Sequence, residues 1–230
     1  MKNRTISIVM CILLLTAGAT LAWADTTVLR NGFSGGTSDY GEYGGWKVRS
    51  ARLYQQDTSE HLAKINFEAP QSGLMEYNFD VRYEAGGMVD RMGGFGIQVF
   101  VDKAHRGKSW GNGNSYLLWL NYDENPSYGK AGFRGQVYRS YGHSRMELLD
   151  GYDVALNPNV LTQKNMSLKV PVKIQVDGDT GLVKVWDPSR PGTYVRFYLD
   201  RAPGKGSYIS LRTNSLAASF DNVKVTKVGR

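Results

Sequence analysis

Apolar and polar residues alternate along most of this chain, as they do in a β-strand with one buried face. Within residues 74–83, apolar side chains take every second position and charged or amide side chains lie between them. The same period recurs at 27–30, 46–54, 62–67, 95–101, 116–122, 133–137, 170–176, 182–186, 194–199, 208–213 and 218–225. So many short strands without a helical layer predict an all-β fold of two packed antiparallel sheets, a β-sandwich.

Interruptions of the alternation predict local features. Asp177-Gly178 and the later Gly181 supply the residues of a tight hairpin between two strands. Phe220 and Val223 cannot share one face under strict alternation, so a β-bulge is expected at Asp221-Asn222.

Helix and loop signals are few. Residues 144–147 fit a capping box that would start a single helical turn. Residues 157–167 favour another short turn or a long loop. The Gly-rich segment 31–45 and the polar segment 103–114, which carries Trp110, are typical of loops.

The N-terminus has the pattern of an export signal. Lys2 and Arg4 precede an apolar run over residues 6–15, and Ala22 and Ala24 suit a signal peptidase. The run is shorter than the about 20 residues that span a bilayer, although a retained anchor is the alternative. Residues 1–24 are therefore predicted to be a signal peptide, with no membrane span after its cleavage.

Residues 25–230 are predicted to form a single domain, because no linker, repeat or change of composition divides them. Cys11 is the only cysteine and lies in the signal segment, so the fold must rest on core packing without disulfides. Three well-separated histidines and no cysteine cluster give no indication of a metal site or a cofactor.

The net charge of the chain excludes few classes of binding partner. The formal net charge of +7 falls to +5 once Lys2 and Arg4 are removed, and the basic residues are spread thinly. This argues against a nucleic-acid groove, which needs a dense basic surface. An anionic glycan, acidic lipid headgroups or an acidic protein remain compatible.

Three C-terminal motifs carry a family resemblance. They are Val-Lys-Ile-Gln-Val-Asp-Gly-Asp at 172–179, Gly-Ser-Tyr-Ile-Ser-Leu-Arg-Thr at 206–213 and Ala-Ser-Phe-Asp-Asn-Val-Lys-Val at 218–225. This region resembles the end of concanavalin A-like lectin/glucanase jelly rolls, which include the laminin-G-like domains. The resemblance implies a jelly-roll sandwich, an architecture that hosts lectins, hydrolases and structural domains.

The catalytic signature of that family is not found. Its hydrolases carry acidic residues at alternate positions of one strand, whereas here Glu76 and Asp80 flank Asn78. The chain also lacks a G-x-S-x-G elbow. Asp123 and Asn125 after a strand could hold a rim calcium or simply form a turn.

Polar and aromatic side chains on the faces opposite the core form the best candidate site. If Leu118 and Val137 point inward, their strand neighbours and Phe100 point to solvent. Sugars are bound by aromatic rings that stack on their C–H faces and by planar polar groups that fix hydroxyls. The predicted glycan-binding residues are Gln98, Trp110, Trp119, Asn121, Arg134, Gln136, Tyr138 and Tyr141, with Trp110 and Tyr141 closing the groove from loops. Cross-strand pairs on a solvated face, or packing under a loop, are the alternative.

Three functions remain open. The first is an exported, non-catalytic glycan-binding β-sandwich of the cell envelope or surface, with a polysaccharide or glycoconjugate as partner. The second is a structural component of an envelope assembly, such as a periplasmic flagellar filament sheath, with protein subunits as partners. The third is a glycoside hydrolase with an unrecognised site. All three would be periplasmic, cell-surface or extracellular.

Overall fold

The computed structural model describes residues 24–35, 40–86, 93–123, 132–155 and 166–229. These residues form fifteen strands in two antiparallel sheets, which confirms the predicted β-sandwich. The strands are β1 Thr26–Asn31, β2 Gly41–Tyr43, β3 Lys47–Arg49, β4 Arg52–Gln55, β5 Ala63–Ser72, β6 Leu74–Gly86, β7 Gly94–Val101, β8 Asn114–Asp123, β9 Gly132–Tyr141, β10 Met146–Ala155, β11 Val170–Asp177, β12 Leu182–Trp186, β13 Tyr194–Tyr198, β14 Lys205–Asn214 and β15 Leu216–Lys227.

Neither sheet follows the order of the sequence. The eight-stranded sheet runs β13-β12-β11-β6-β15-β4-β3, with β1 also paired to β15, and the seven-stranded sheet runs β10-β9-β8-β7-β14-β5-β2. Consecutive strands β5 and β6 therefore lie in different sheets, as do β14 and β15. Among the described residues, no helix is long and apolar enough to cross a membrane.

The main core lies between the two sheets. Phe220 of β15 is completely buried, and the rings of Trp46, Phe79 and Phe95 lie around it at centroid distances of 6.0 to 6.4 Å. Phe79 belongs to the eight-stranded sheet and Phe95 to the other, so this aromatic cluster ties the two layers together.

The hairpin and the C-terminal bulge lie where the sequence predicts them. Strands β11 and β12 pair across the turn that ends at Gly181, whose φ is +75°. The register of β15 against β6 shifts after Asp221, and Asn222 has a φ of +51°. The bulge lets Phe220 and Val223 both face the core.

A second bulge, in β7, was not expected. Phe100 has a φ of +54°, and the register of β7 against β14 shifts beside it. The sequence predicted that Phe100 would share the outward face of Gln98. Its side chain instead points into the main core. The Phe100 amide donates to Gln71 Oε1 at 2.9 Å.

The helical turn predicted at residues 144–147 is wrong. Strand β10 begins at Met146, which pairs with Ser140 of β9. Burial of the Met146 side chain against a second apolar cluster outweighs the local capping pattern. Residues 1–23 of the predicted signal peptide 1–24, and most of the turn proposed at 157–167, lie outside the described residues.

Candidate functional site

Six of the predicted site residues share one face of the seven-stranded sheet, the one that points away from the main core and is here called the outer face. They are Gln98, Trp119, Asn121, Arg134, Gln136 and Tyr138. Alternation thus predicted their side correctly. It did not predict their burial, since Trp119 is only 8% exposed and Arg134 only 2%.

Two glycines of β7 explain the burial of Trp119. A Cβ at Gly94 would lie 2.7 Å from Trp119 Nε1, and one at Gly96 would lie 3.0 Å from Trp119 Cε3. The indole therefore packs against backbone that carries no side chain. Leu117 and Met146 complete this second apolar cluster on the outer face.

The loop of residues 102–113, between β7 and β8, covers another part of the outer face. Asn112 fixes it there, because its buried amide donates to Asn66 Oδ1 at 2.9 Å and to Ser210 Oγ at 2.7 Å. Asn112 Oδ1 accepts from the His105 amide at 2.7 Å, and the Asn112 amide N–H donates to Ser140 Oγ at 2.9 Å. The polar residues of β5 and β14 are thus used in holding the loop.

The covering loop places the ring of Trp110 beside the second apolar cluster. Trp110 Nε1 donates to the carbonyl oxygen of Met146 at 2.9 Å. Arg212 of β14 holds the loop backbone from below, by donating to the carbonyl oxygens of Trp110 at 3.0 Å and Ser109 at 3.2 Å.

A small cleft opens between this loop and the strands, with a cavity volume of about 30 Å³. Its lining consists of Leu62, Trp110, Leu117, Trp119, Tyr138, Met146, Arg212, Thr213 and Asn214. Trp110, Trp119 and Tyr138 belong to the predicted set and do come together. Trp110 and Tyr138 are half-buried, so parts of both rings face solvent.

Arg212, Met146 and Asn214 line the cleft but are not among the site residues predicted from the sequence. Arg212 and Asn214 lie at alternate positions of one strand, and this spacing could have indicated that they share a face. Met146 was predicted to lie in a helical turn, so the sheet face that its side chain occupies was not predicted.

Several predicted residues lie outside the cleft. Gln98 is buried beneath it, with Nε2 donating to Ser115 Oγ and Oε1 accepting from Arg212. Gln136 accepts a hydrogen bond from the Tyr138 hydroxyl at 2.9 Å and so supports that ring from the side.

Asn121, Arg134 and Tyr141 are further from the cleft. Asn121 and Arg134 form a cross-strand pair near the start of β7, where Asn121 Nδ2 donates to the carbonyl oxygen of Gly93 at 2.8 Å. Tyr141 ends β9 instead of lying in a loop, and its ring contacts the guanidinium groups of Arg139 and Arg145. None of the three lines the cleft.

Positive charge is concentrated under the covering loop. Burial, together with the nearby charge of Arg212, lowers the pKa of Lys64 to about 7. Burial likewise lowers the pKa of Arg212 to about 10. Next to them, desolvation together with Lys64 and His143 lowers the pKa of His105, whose ring stacks on His143 at 4.7 Å.

The carboxylate side chains of the described residues lie away from the cleft. No Asp or Glu is among the described residues that line the cleft. Glu76 and Asp80 do share a face, but it belongs to the eight-stranded sheet, and Lys173 and Lys169 pair with them at 3.0 and 3.2 Å. Although burial alone would raise the pKa of Glu76, hydrogen bonds from Asn78, Lys173 and Gln175 hold it below its usual value.

Metal-ligating side chains do not cluster in the part of the chain that the structure describes: no group of three or more His, Cys, Asp or Glu is found there. The calcium candidate at Asp123 and Asn125 depends on side chains outside the described set.

Comparison with known proteins finds similarity of structure and not of sequence. No family model matches the chain, and no curated protein matches it in sequence. A Bacillus subtilis protein of unknown function with a galectin-like fold aligns with a TM-score of 0.54 at 14% identity, covering 89% of this chain and 97% of that one.

Two other similar structures are those of carbohydrate-binding proteins. The carbohydrate-binding module CBM66 of Bacillus subtilis aligns with a TM-score of 0.53 at 15% identity, covering 88% of this chain and 95% of the module. A Bauhinia forficata lectin in complex with GalNAc aligns with a TM-score of 0.51 at 12% identity, covering 89% and 99%. At such identities the likeness establishes the fold, which is a lectin-like β-sandwich.

Proposed function

We propose that this chain is an exported glycan-binding protein, and that its ligand binds across the mouth of the cleft on the outer face of the seven-stranded sheet. The observation that carries the proposal is the convergence of the half-buried rings of Trp110 and Tyr138 with the polar side chains of Arg212 and Asn214 along the lining of one cleft. Ligand sites commonly combine aromatic walls with a few polar groups that fix orientation. A sugar needs both, because its C–H faces stack on rings and its hydroxyls take hydrogen bonds.

The cleft is also held in shape before any ligand enters. Trp110 Nε1 is tied to Met146, and the Tyr138 hydroxyl is tied to Gln136. Rings fixed in this way lose little conformational freedom on binding, which favours affinity.

The similarity to a carbohydrate-binding module and to a lectin supports the same ligand class. The C-terminal motifs further support membership of the concanavalin A-like superfamily within this fold. Export, and with it a periplasmic, cell-surface or extracellular location, rests on the pattern of residues 1–24. Mass spectrometry of the native protein is expected to find Asp25 at the N-terminus, and a chain that begins at Met1 would contradict export.

A glycan array tests the binding proposal directly. The protein should bind at least one glycan, and Trp110→Ala and Tyr138→Ala should each weaken that binding by about tenfold, as loss of a well-placed aromatic contact does. Trp186→Ala and Tyr198→Ala remove the same side chains from the eight-stranded sheet and should leave binding unchanged. Equal losses in both pairs, or no binding by the parent, would contradict the proposal.

One observation favours the structural alternative as a second candidate. Strand β13 is an edge of the eight-stranded sheet, and it exposes Val195 by 64% and Tyr198 by 59%. Apolar edge strands are sites of strand pairing with another chain. If the protein is an assembly subunit, it should co-purify from its native envelope with a partner, and Val195→Lys should release it. A monomer in the native extract would contradict this role.

A further inference from the structure

Two buried cations lie side by side beneath the covering loop. Lys64 of β5 and Arg212 of β14 are directly paired across the two strands, and both side chains are on the outer face. Lys64 is 0% exposed and Arg212 is 2% exposed. Two like charges at such a position disfavour the folded state unless something compensates them.

The groups that contact these cations are neutral. Lys64 Nζ donates to the hydroxyl and carbonyl oxygens of Ser109. Arg212 donates to Gln98 Oε1 and to the carbonyl oxygens of Ser109 and Trp110, at 3.0 to 3.2 Å. Within the described ranges, no carboxylate forms an ion pair with either residue.

Holding a loop does not require this charge. Neutral donors such as Asn112 already fix the same loop to the same two strands through Asn66 and Ser210. A buried arginine without a counter-ion is therefore more than an anchor needs, and burial lowers the pKa of both cations.

Arg212 lines the cleft beside Trp110 and Tyr138, with 2% of its surface exposed. Its Nη1 hydrogens and one Nη2 hydrogen are already donated to Gln98, Trp110 and Ser109. The Nε–Nη2 edge is therefore the part of the guanidinium that can donate two parallel hydrogen bonds to a carboxylate at the cleft. We propose that the ligand is an acidic glycan, and that a carboxylate of one of its uronic acid residues pairs with Arg212. This inference rests on the glycan function proposed above, and Lys64 adds positive potential from its position beside Arg212.

Matched pairs of oligosaccharides separate the two proposals. A calorimetric panel would contain oligomers of galacturonic, glucuronic, mannuronic and guluronic acid, each beside its carboxyl-reduced neutral counterpart. At least one acid is expected to bind about tenfold or more tightly than its counterpart, as a charge-assisted hydrogen bond would produce. Raising the salt concentration should weaken binding of the acid and leave the neutral partner unaffected.

Variants assign that preference to a residue. Arg212→Gln should abolish the difference between acid and neutral partner, whereas Arg212→Lys should keep part of it. Arg196→Gln on β13 removes the same charge from an exposed site of the other sheet and should preserve the difference. Melting temperatures identify any variant that fails to fold. In that case the effect of salt on acid binding by the parent protein decides whether the ligand is recognised by its charge.

The binding results distinguish the acidic-ligand inference from the glycan-binding proposal. Equal affinity for acid and neutral partners, or an acid preference that survives Arg212→Gln in a folded variant, would overturn the acidic-ligand inference while leaving glycan binding intact. No binding to any member of the panel or of the glycan array would overturn both.

Discussion

Arg212 Nη1 donates a hydrogen bond of 3.0 Å to the carbonyl oxygen of Trp110. A buried strand residue thereby fixes the backbone of the loop residue whose ring forms one wall of the cleft. The sheet and the loop are consequently coupled, and substitutions of the sheet residues that hold the loop should alter the shape of the cleft.

The packing of Trp119 gives a test of the cleft floor. Gly96→Ala would place a Cβ 2.1 Å from the Leu118 carbonyl oxygen and 3.0 Å from the indole, so the strands must separate. Overpacking of this kind costs about 1–3 kcal/mol of the free energy of unfolding. Gly32→Ala is a matched control, because no atom lies within 4 Å of its added Cβ. Urea denaturation should show a loss for the first variant only, and equal values would contradict the packing.

Asn112 gives a test of the covering loop. Asn112→Ala leaves the buried partners Asn66, Ser210 and the His105 amide short of a hydrogen bond, at about 1–3 kcal/mol for each group left unsatisfied. The loop should open more often, and trypsin should then cut faster after Lys103 and Lys108.

The control for that experiment is Asn78→Ala, which removes an amide that bonds Glu76 on the other sheet. Unchanged cleavage in Asn112→Ala, or equal acceleration in both variants, would show that the loop does not depend on Asn112.

Period-two alternation predicted the fold and the side on which most of the candidate site residues lie. It failed at Phe100, where a positive φ in a non-glycine residue reverses the side chain without any local signal. It failed again at Met146, where tertiary burial outweighed a capping pattern. Both errors arise because a contact distant in sequence decided the local conformation.

The sequence did not predict that residues of the outer face would be buried. Gly94 and Gly96 alternate on the strand beside Trp119, and this spacing could have indicated a resting place for the indole. The position of the covering loop could not be predicted, because it depends on Asn112 meeting Asn66 and Ser210 from strands far along the chain. Sequence alone therefore located the aromatic residues but not the shape of the cleft.

Lys64 predicts how stability varies with pH. Its pKa is about 7 in the folded protein against 10.5 ordinarily, so the unfolded chain binds more protons between these values. The free energy of unfolding should therefore rise with pH in that window, by about 2 kcal/mol from pH 7 to pH 9 through this residue. Below pH 7 the lysine is charged in both states, and its effect no longer varies.

Lys64→Met isolates this contribution. The variant should lack the rise between pH 7 and pH 9, whereas the exposed Lys205→Met should retain it. Arg212, whose pKa is about 10, stays mostly charged between pH 7 and pH 9, and His105, with its lowered pKa, titrates below pH 7. Parallel pH profiles for the parent and Lys64→Met would contradict the buried charge.

The location of the ligand can be measured at the tryptophan side chains. Four of the five tryptophans follow residue 24, namely Trp46, Trp110, Trp119 and Trp186. Their indole N–H resonances can be followed by ¹⁵N NMR, with Trp→Phe variants for assignment, while the glycan that binds best on the array is added. Trp110 and Trp119 line the cleft, so their resonances should shift in proportion to its occupancy. Trp46 in the main core and Trp186 on the other sheet should stay in place. A shift at Trp186 with none at Trp110 would contradict the account.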